Sequence, residues 1–145
     1  MTNYKKQTGI WLDYKEAYLI TLDAEKGGEP DVQHIESGIE WGVPKGGSRS
    51  KTPWGPQGGV SERAFQERRH QEEKAYFDRV IQAIDPETHE LMIFGPAEAK
   101  QGLRNAVELI KHFRPQLVGF ETADSMTFNQ LVARVKDFFA SKVAS

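Results

Sequence analysis

The sequence predicts an α/β fold built on a mixed sheet, and three observations carry that reading. Two short apolar strands separated by a tight polar break open the chain. A long helical pattern follows a Gly-rich interruption. Two later apolar runs, Leu91 to Phe94 and Leu117 to Phe120, each lead into a helical pattern. Runs of strands followed by alternating helices and strands suit a sheet with helices on both faces.

Thr8 to Asp13 and Glu16 to Asp23 carry Ile10, Leu12, Tyr18, Ile20 and Leu22 around the break at Tyr14 and Lys15, which predicts a β-hairpin. Gly27 and Gly28 mark a turn into a third strand over Val32 to Trp41, with Ile35 and Ile39 as its apolar positions. From Ser61 the spacing of Phe65, Tyr76, Phe77, Val80, Ile81 and Ile84 predicts a helix that stops at Asp85 and Pro86. Its first half, Glu62 to Lys74, is almost wholly charged and is expected to project into solvent.

Leu91 to Phe94 reads as a buried strand turning through Gly95 and Pro96 into a helix over Ala97 to Lys111, with Leu103, Val107, Leu109 and Ile110 as its core face. Leu117 to Phe120 is the last strand. Thr127 and Gln130 form a capping box opening a final helix with Leu131, Val132, Val135 and Phe139 facing inward. The order βββαβαβα predicts a ribonuclease H-like, five-stranded mixed sheet in one domain spanning 1–145.

The chain has 145 residues, a formal net charge of -2 and no cysteine. Without thiols there are no disulfides, thiolate metal sites or Cys nucleophiles, and a reducing compartment, the cytoplasm by default, is expected. The polar opening from Met1 to Gly9 has no apolar stretch behind it long enough for a signal peptide or membrane span, so no membrane partner is expected. A near-neutral total confines any nucleic-acid contact to a local basic patch.

Such a patch exists in the sequence. Between Gly42 and Val60 there is no acidic residue, while Lys45, Arg49 and Lys51 lie among glycines, and the following helix adds Arg63, Arg68, Arg69, His70 and Lys74. Glycine permits close backbone approach, Lys and Arg neutralise phosphate, and Trp54 can stack on an unpaired base. The bland alternative is a solvated helix end whose Glu62, Glu67, Glu72 and Glu73 pair with the arginines locally.

Other chemistry finds little footing. Nuclease action in such a fold needs convergent carboxylates, for which Asp13, Glu121 and Asp124 are the candidates, with hairpin-turn and helix-start roles as their plain alternatives. Gly95 and Pro96 suit a tight packed turn better than an anion site, because Pro96 removes a donor and Glu98 repels phosphate. His34, His70, His89 and His112 have no ligand spacing, and no serine sits in a GxSxG elbow. No catalytic residue, metal or cofactor is assigned. Trp11, Trp41, Phe138 and Phe139 read as core or interface residues.

The run Gly58-Gly59-Val60-Ser61-Glu62-Arg63-Ala64-Phe65, continuing to Arg68, Arg69 and Tyr76, resembles the GGQ loop and following helix in the central domain of class I peptide-chain release factors. That domain, shared with Pelota-type rescue factors, has the ribonuclease H-like fold. Small bacterial translational machinery proteins are similar at Gly9 to Asp13, at Ile93 to Lys100 and at Asp124 to Thr127, over nearly the whole chain. The resemblance implies contact with the ribosome or structured RNA through Lys45, Arg49, Lys51, Gly58, Gly59, Arg63, Arg68 and Arg69. It also marks a departure: Val60 stands where the motif's glutamine places the hydrolytic water, and valine neither donates nor accepts a hydrogen bond. Peptidyl-tRNA hydrolysis is then not expected unless Gln57 substitutes. The competing expectation is an interaction or self-assembly module, a homo-oligomer without RNA affinity.

Overall fold

The structure, a computed structural model, describes residues 6–23, 29–39, 58–96 and 98–144, with side chains described for all of these except 58–62 and 141–144. The elements run β1 (Lys6–Leu12), β2 (Glu16–Asp23), β3 (Asp31–Glu36), α1 (Gly58–Ala83), β4 (Thr88–Gly95), α2 (Ala99–Glu108), β5 (Gln116–Thr122) and α3 (Phe128–Ala144). The order is the βββαβαβα expected. One five-stranded mixed sheet has the order β3-β2-β1-β4-β5. β2 is antiparallel to both its neighbours, whereas β1, β4 and β5 run parallel.

The central strands explain their own sequences. β1 and β4 are covered on both faces, so apolar residues run continuously through Ile10 to Leu12 and Leu91 to Phe94. Ile10, Leu12, Leu19, Leu91 and Ile93 pack against Tyr76, Phe77, Val80 and Ile84 of α1 and Leu103 of α2. Trp11, Ile20, Met92 and Phe94 point the other way, against Leu131, Val135 and Phe139 of α3. Each fully buried side chain of this size contributes about 1.5–3 kcal/mol. Among the described residues, no helix is long and apolar enough to cross a membrane.

The hairpin turn is made by Asp13, whose Oδ1 accepts the amides of Lys15 at 2.8 Å and Glu16 at 2.9 Å. Gly95 ends β4 with φ +153°, and a Cβ there would lie 2.3 Å from the Leu12 carbonyl oxygen, so the β4–α2 junction needs glycine for close packing. The capping box forms: Thr127 N donates to Gln130 Oε1 at 2.9 Å, and Gln130 N to Thr127 Oγ1 at 3.2 Å.

Several boundaries differ from expectation. β3 ends at Glu36 rather than Trp41; Ile39 beyond it is nevertheless buried in the core, and Trp41 lies outside the described residues. α1 begins at Gly58 rather than Ser61, which places Gly58 and Gly59 in its first turn rather than in a loop. β4 covers Thr88–Gly95, reaching beyond its apolar run at both ends. α2 is shorter than Ala97 to Lys111. Leu109 and Ile110 do not belong to its core face: α2 stops at Glu108, the amides of both residues turn back three positions to Ala106 and Val107, and Leu109 is left 85% exposed.

Candidate functional site

The second half of α1 is fastened to the carboxyl end of the sheet. Tyr76 Oη donates to the Asp13 carbonyl at 2.8 Å, and Arg79 Nη2 donates to the carbonyls of Glu36 at 2.9 Å and Ser37 at 3.0 Å. Burial drives the Tyr76 phenol pKa far above its ordinary value, with Asp13 and Glu16 adding to the rise. This hydroxyl stays protonated and serves as a structural donor.

The first half is less deeply packed. Arg63, Arg68, His70 and Lys74 are exposed, Phe65 is partly covered, and Arg69 is half-buried with Nε 3.7 Å from Glu73. Lys74 lies 3.9 Å from Asp78 in an exposed i,i+4 pair, of the kind that contributes only a few tenths of a kcal/mol. The local pairing anticipated between the arginines and glutamates appears at Arg69 with Glu73, whereas Lys74 pairs with Asp78, outside the anticipated set. At about 100° per residue, Arg63, His70 and Lys74 share one stripe, whereas Arg68 turns about 140° from Arg63. The predicted residues thus spread around the helix instead of forming one patch, with Arg69 on a half-buried side. Lys45, Arg49, Lys51, Trp54 and Gln57 lie outside the described residues. Gly58 and Gly59 open the helix.

The nuclease constellation is not assembled. Asp13 is engaged in the hairpin turn, Glu121 Oε1 accepts from Arg134 Nη2 at 2.7 Å, and Asp124 is exposed. Among the described residues there is no group of three His, Asp or Glu side chains placed to hold a metal ion. His34 pairs with Glu16 at 2.8 Å, and His89 Nδ1 accepts the Lys6 amide at 3.3 Å.

Sequence reasoning missed a groove of about 390 Å³ between α1 and α2, lined by Phe77, Ala106, Leu109 and Ile110, with His70 and Lys74 on its α1 side. Gly102 carries the signal that was available: a Cβ there would meet the Phe77 ring at 2.6 Å, so a mid-helix glycine marks close helix approach.

No family model matches the chain, and no curated protein does. Solved structures similar to it include an archaeal translation termination factor, aRF1, at 14% identity and TM-score 0.46, over 85% of this chain and 31% of that one. Another is an archaeal protein at 15% identity and TM-score 0.47, over 88% of this chain and 32% of that one. The chain therefore spans about a third of the length of the structures it is similar to.

Proposed function

We propose that this chain is a non-catalytic, translation-associated protein that contacts the ribosome or structured RNA through residues 42–60 and the exposed first half of α1. One observation carries the reading. A stretch with Lys45, Arg49 and Lys51 and no acid feeds directly into a helix half on which Arg63, Arg68, His70 and Lys74 are exposed. Lysine and arginine release counterions when they meet phosphate, so such a segment binds RNA in a salt-dependent way. A charged helix half with cations at several angles, continuing a basic stretch of chain, suits insertion between RNA segments better than lying on one duplex face.

Gly58 and Gly59 let the backbone at the start of the helix come close to a phosphate or sugar. Arg69, already near Glu73, contributes less than Arg63 and Arg68. Hydrolysis is no part of the proposal, because Val60 has no polar group to position water. The 145 residues act as one domain, in the cytoplasm.

The test is fluorescence anisotropy of a structured ribosomal RNA fragment across a salt series, with the wild type and a variant carrying alanine at Lys45, Arg49, Lys51, Arg63, Arg68 and Arg69. The wild type loses affinity steeply with salt and the variant shows little affinity at any salt. Equal binding by the two proteins contradicts the proposal.

Self-association has one observation of its own, the exposure of Leu109 and Ile110 beside the α1–α2 groove. Sedimentation velocity of wild type and Leu109→Glu discriminates. A salt-independent oligomer abolished by Leu109→Glu, without RNA affinity, replaces the RNA reading.

A further inference from the structure

On the sheet face covered by α3, register arranges side chains in rungs. Trp11, Tyr18 and His34 are direct cross-strand partners across β1, β2 and β3. Their rings form one rung: Trp11 and Tyr18 have centroids 6.4 Å apart, and Tyr18 stacks on His34 at 4.6 Å and 21°. Glu16 and Glu36 lie two residues from Tyr18 and His34, so strand alternation puts them on the same face, and they too are direct partners. Phe128, in the first turn of α3, meets the Tyr18 ring edge-on at 6.5 Å and is 50% exposed.

Two carboxylates directly opposite one another in a sheet are destabilising. Glu16 Oε1 has His34 Nε2 at 2.8 Å, which offsets its charge only while the imidazole is protonated, and Glu36 is exposed. The same field acts on the Tyr18 hydroxyl. Burial raises its pKa first, then Glu16 by charge and hydrogen bond, then Asp13 and Glu36, all in one direction. An aromatic rung beside a carboxylate rung has a definite complement, a cation carried on an apolar stem.

We infer that Tyr18, Phe128, Glu16 and Glu36 form a docking site for an arginine side chain of a basic peptide segment in a partner protein. The guanidinium lies between the two carboxylates, where each accepts a charge-assisted hydrogen bond from it and the like-charge repulsion is relieved. Its plane and methylene stem rest against the exposed Phe128 ring. Charge complementarity selects the occupant: the carboxylates that attract a guanidinium repel the phosphates of RNA. The surface is built from β2, β3 and α3, separate from the arginine-bearing half of α1.

Titration of the ¹⁵N-labelled full chain with a terminally blocked hexapeptide of alternating arginine and glycine tests this. The amide signals of residues 16–18, 34–36 and 128 shift on titration, and the affinity falls as salt is raised. Phe128→Ala and the double variant Glu16→Gln with Glu36→Gln each weaken binding by about fivefold or more. All three side chains are partly or largely exposed, so unchanged amide spectra elsewhere verify that the variants fold. The matching glutamate–glycine peptide leaves these signals in place. Equal binding of the two peptides, undiminished binding by both variants, or shifts of these signals by an RNA oligonucleotide instead of the arginine peptide overturns the inference.

Discussion

The two halves of α1 are one uninterrupted helix with opposite surroundings. From Tyr76 onward it is held by Phe77, Val80 and Ile84 in the core and by the hydrogen bonds of Tyr76 and Arg79 to backbone carbonyls at the strand ends. Before Lys74 it displays arginines, glutamates and glutamines, with Phe65 only partly covered. A short isolated charged helix is marginal in water, because forming the first turn is unfavourable whereas extending an existing helix is not. The buried half supplies the nucleus from which the charged half extends. Anchor and presented surface are therefore separable in sequence, and substitutions should separate them in experiment.

The largest effect is expected in the anchor. Tyr76→Ala removes a fully buried ring and its bond to Asp13, and should cost about 3–5 kcal/mol in a urea melt. A smaller loss sharpens the comparison by showing that the carboxyl-end latch counts for little. Gly95→Ala, which forces a Cβ toward the Leu12 carbonyl at φ +153°, should cost at least about 1–3 kcal/mol in the same melt. Thr127→Ala should cost about 1 kcal/mol through loss of the capping box, with no change in RNA affinity. The smallest stability effect belongs to the presented half: Arg63→Ala and Arg68→Ala should each stay within about 0.5 kcal/mol of wild type. Each should also lower the slope of log affinity against log salt by about 1. A large stability loss from either arginine would erase the distinction between the halves.

The same contrast shows why some features were legible in the sequence and others were not. Tyr76, Val80 and Ile84 repeat at helical spacing because one face is buried, and Leu91 to Phe94 runs without interruption because β4 is covered twice; burial writes itself into composition. Thr127 and Gln130 were readable because a capping box is a local device. Leu109 and Ile110 misled because they continue the apolar pattern past the point where α2 ends, and a helix terminus in the absence of a glycine or proline leaves little local trace. The stack of Tyr18 on His34 and the opposition of Glu16 to Glu36 were invisible, since they exist only once β2 and β3 are paired in register. Of the basic residues, the sequence supplied the identities and the largely exposed character of Arg63 to Lys74. It did not show which of the anticipated local pairs forms, Arg69 with Glu73.

The charge distribution sets up a second contrast. Lys45, Arg49, Lys51, Arg63 and Arg68 belong to one continuous stretch of chain, whereas Glu16 and Glu36 come from two strands and act as a unit only in the folded protein. A net charge of -2 conceals both. If the basic stretch binds RNA as proposed and the Glu16–Glu36 pair takes an arginine as inferred, one small protein contacts an anionic polymer and a cationic peptide, each with its own salt dependence.

Co-sedimentation of the purified chain with ribosomes across a salt series, beside the variant with alanine at Lys45, Arg49, Lys51, Arg63, Arg68 and Arg69, tests the central claim most directly. The account predicts that wild type pellets with ribosomes at low salt, is released as salt rises, and that the variant stays in the supernatant throughout. Pelleting of the variant to the same extent as wild type, or no association of the wild type at any salt, would contradict it.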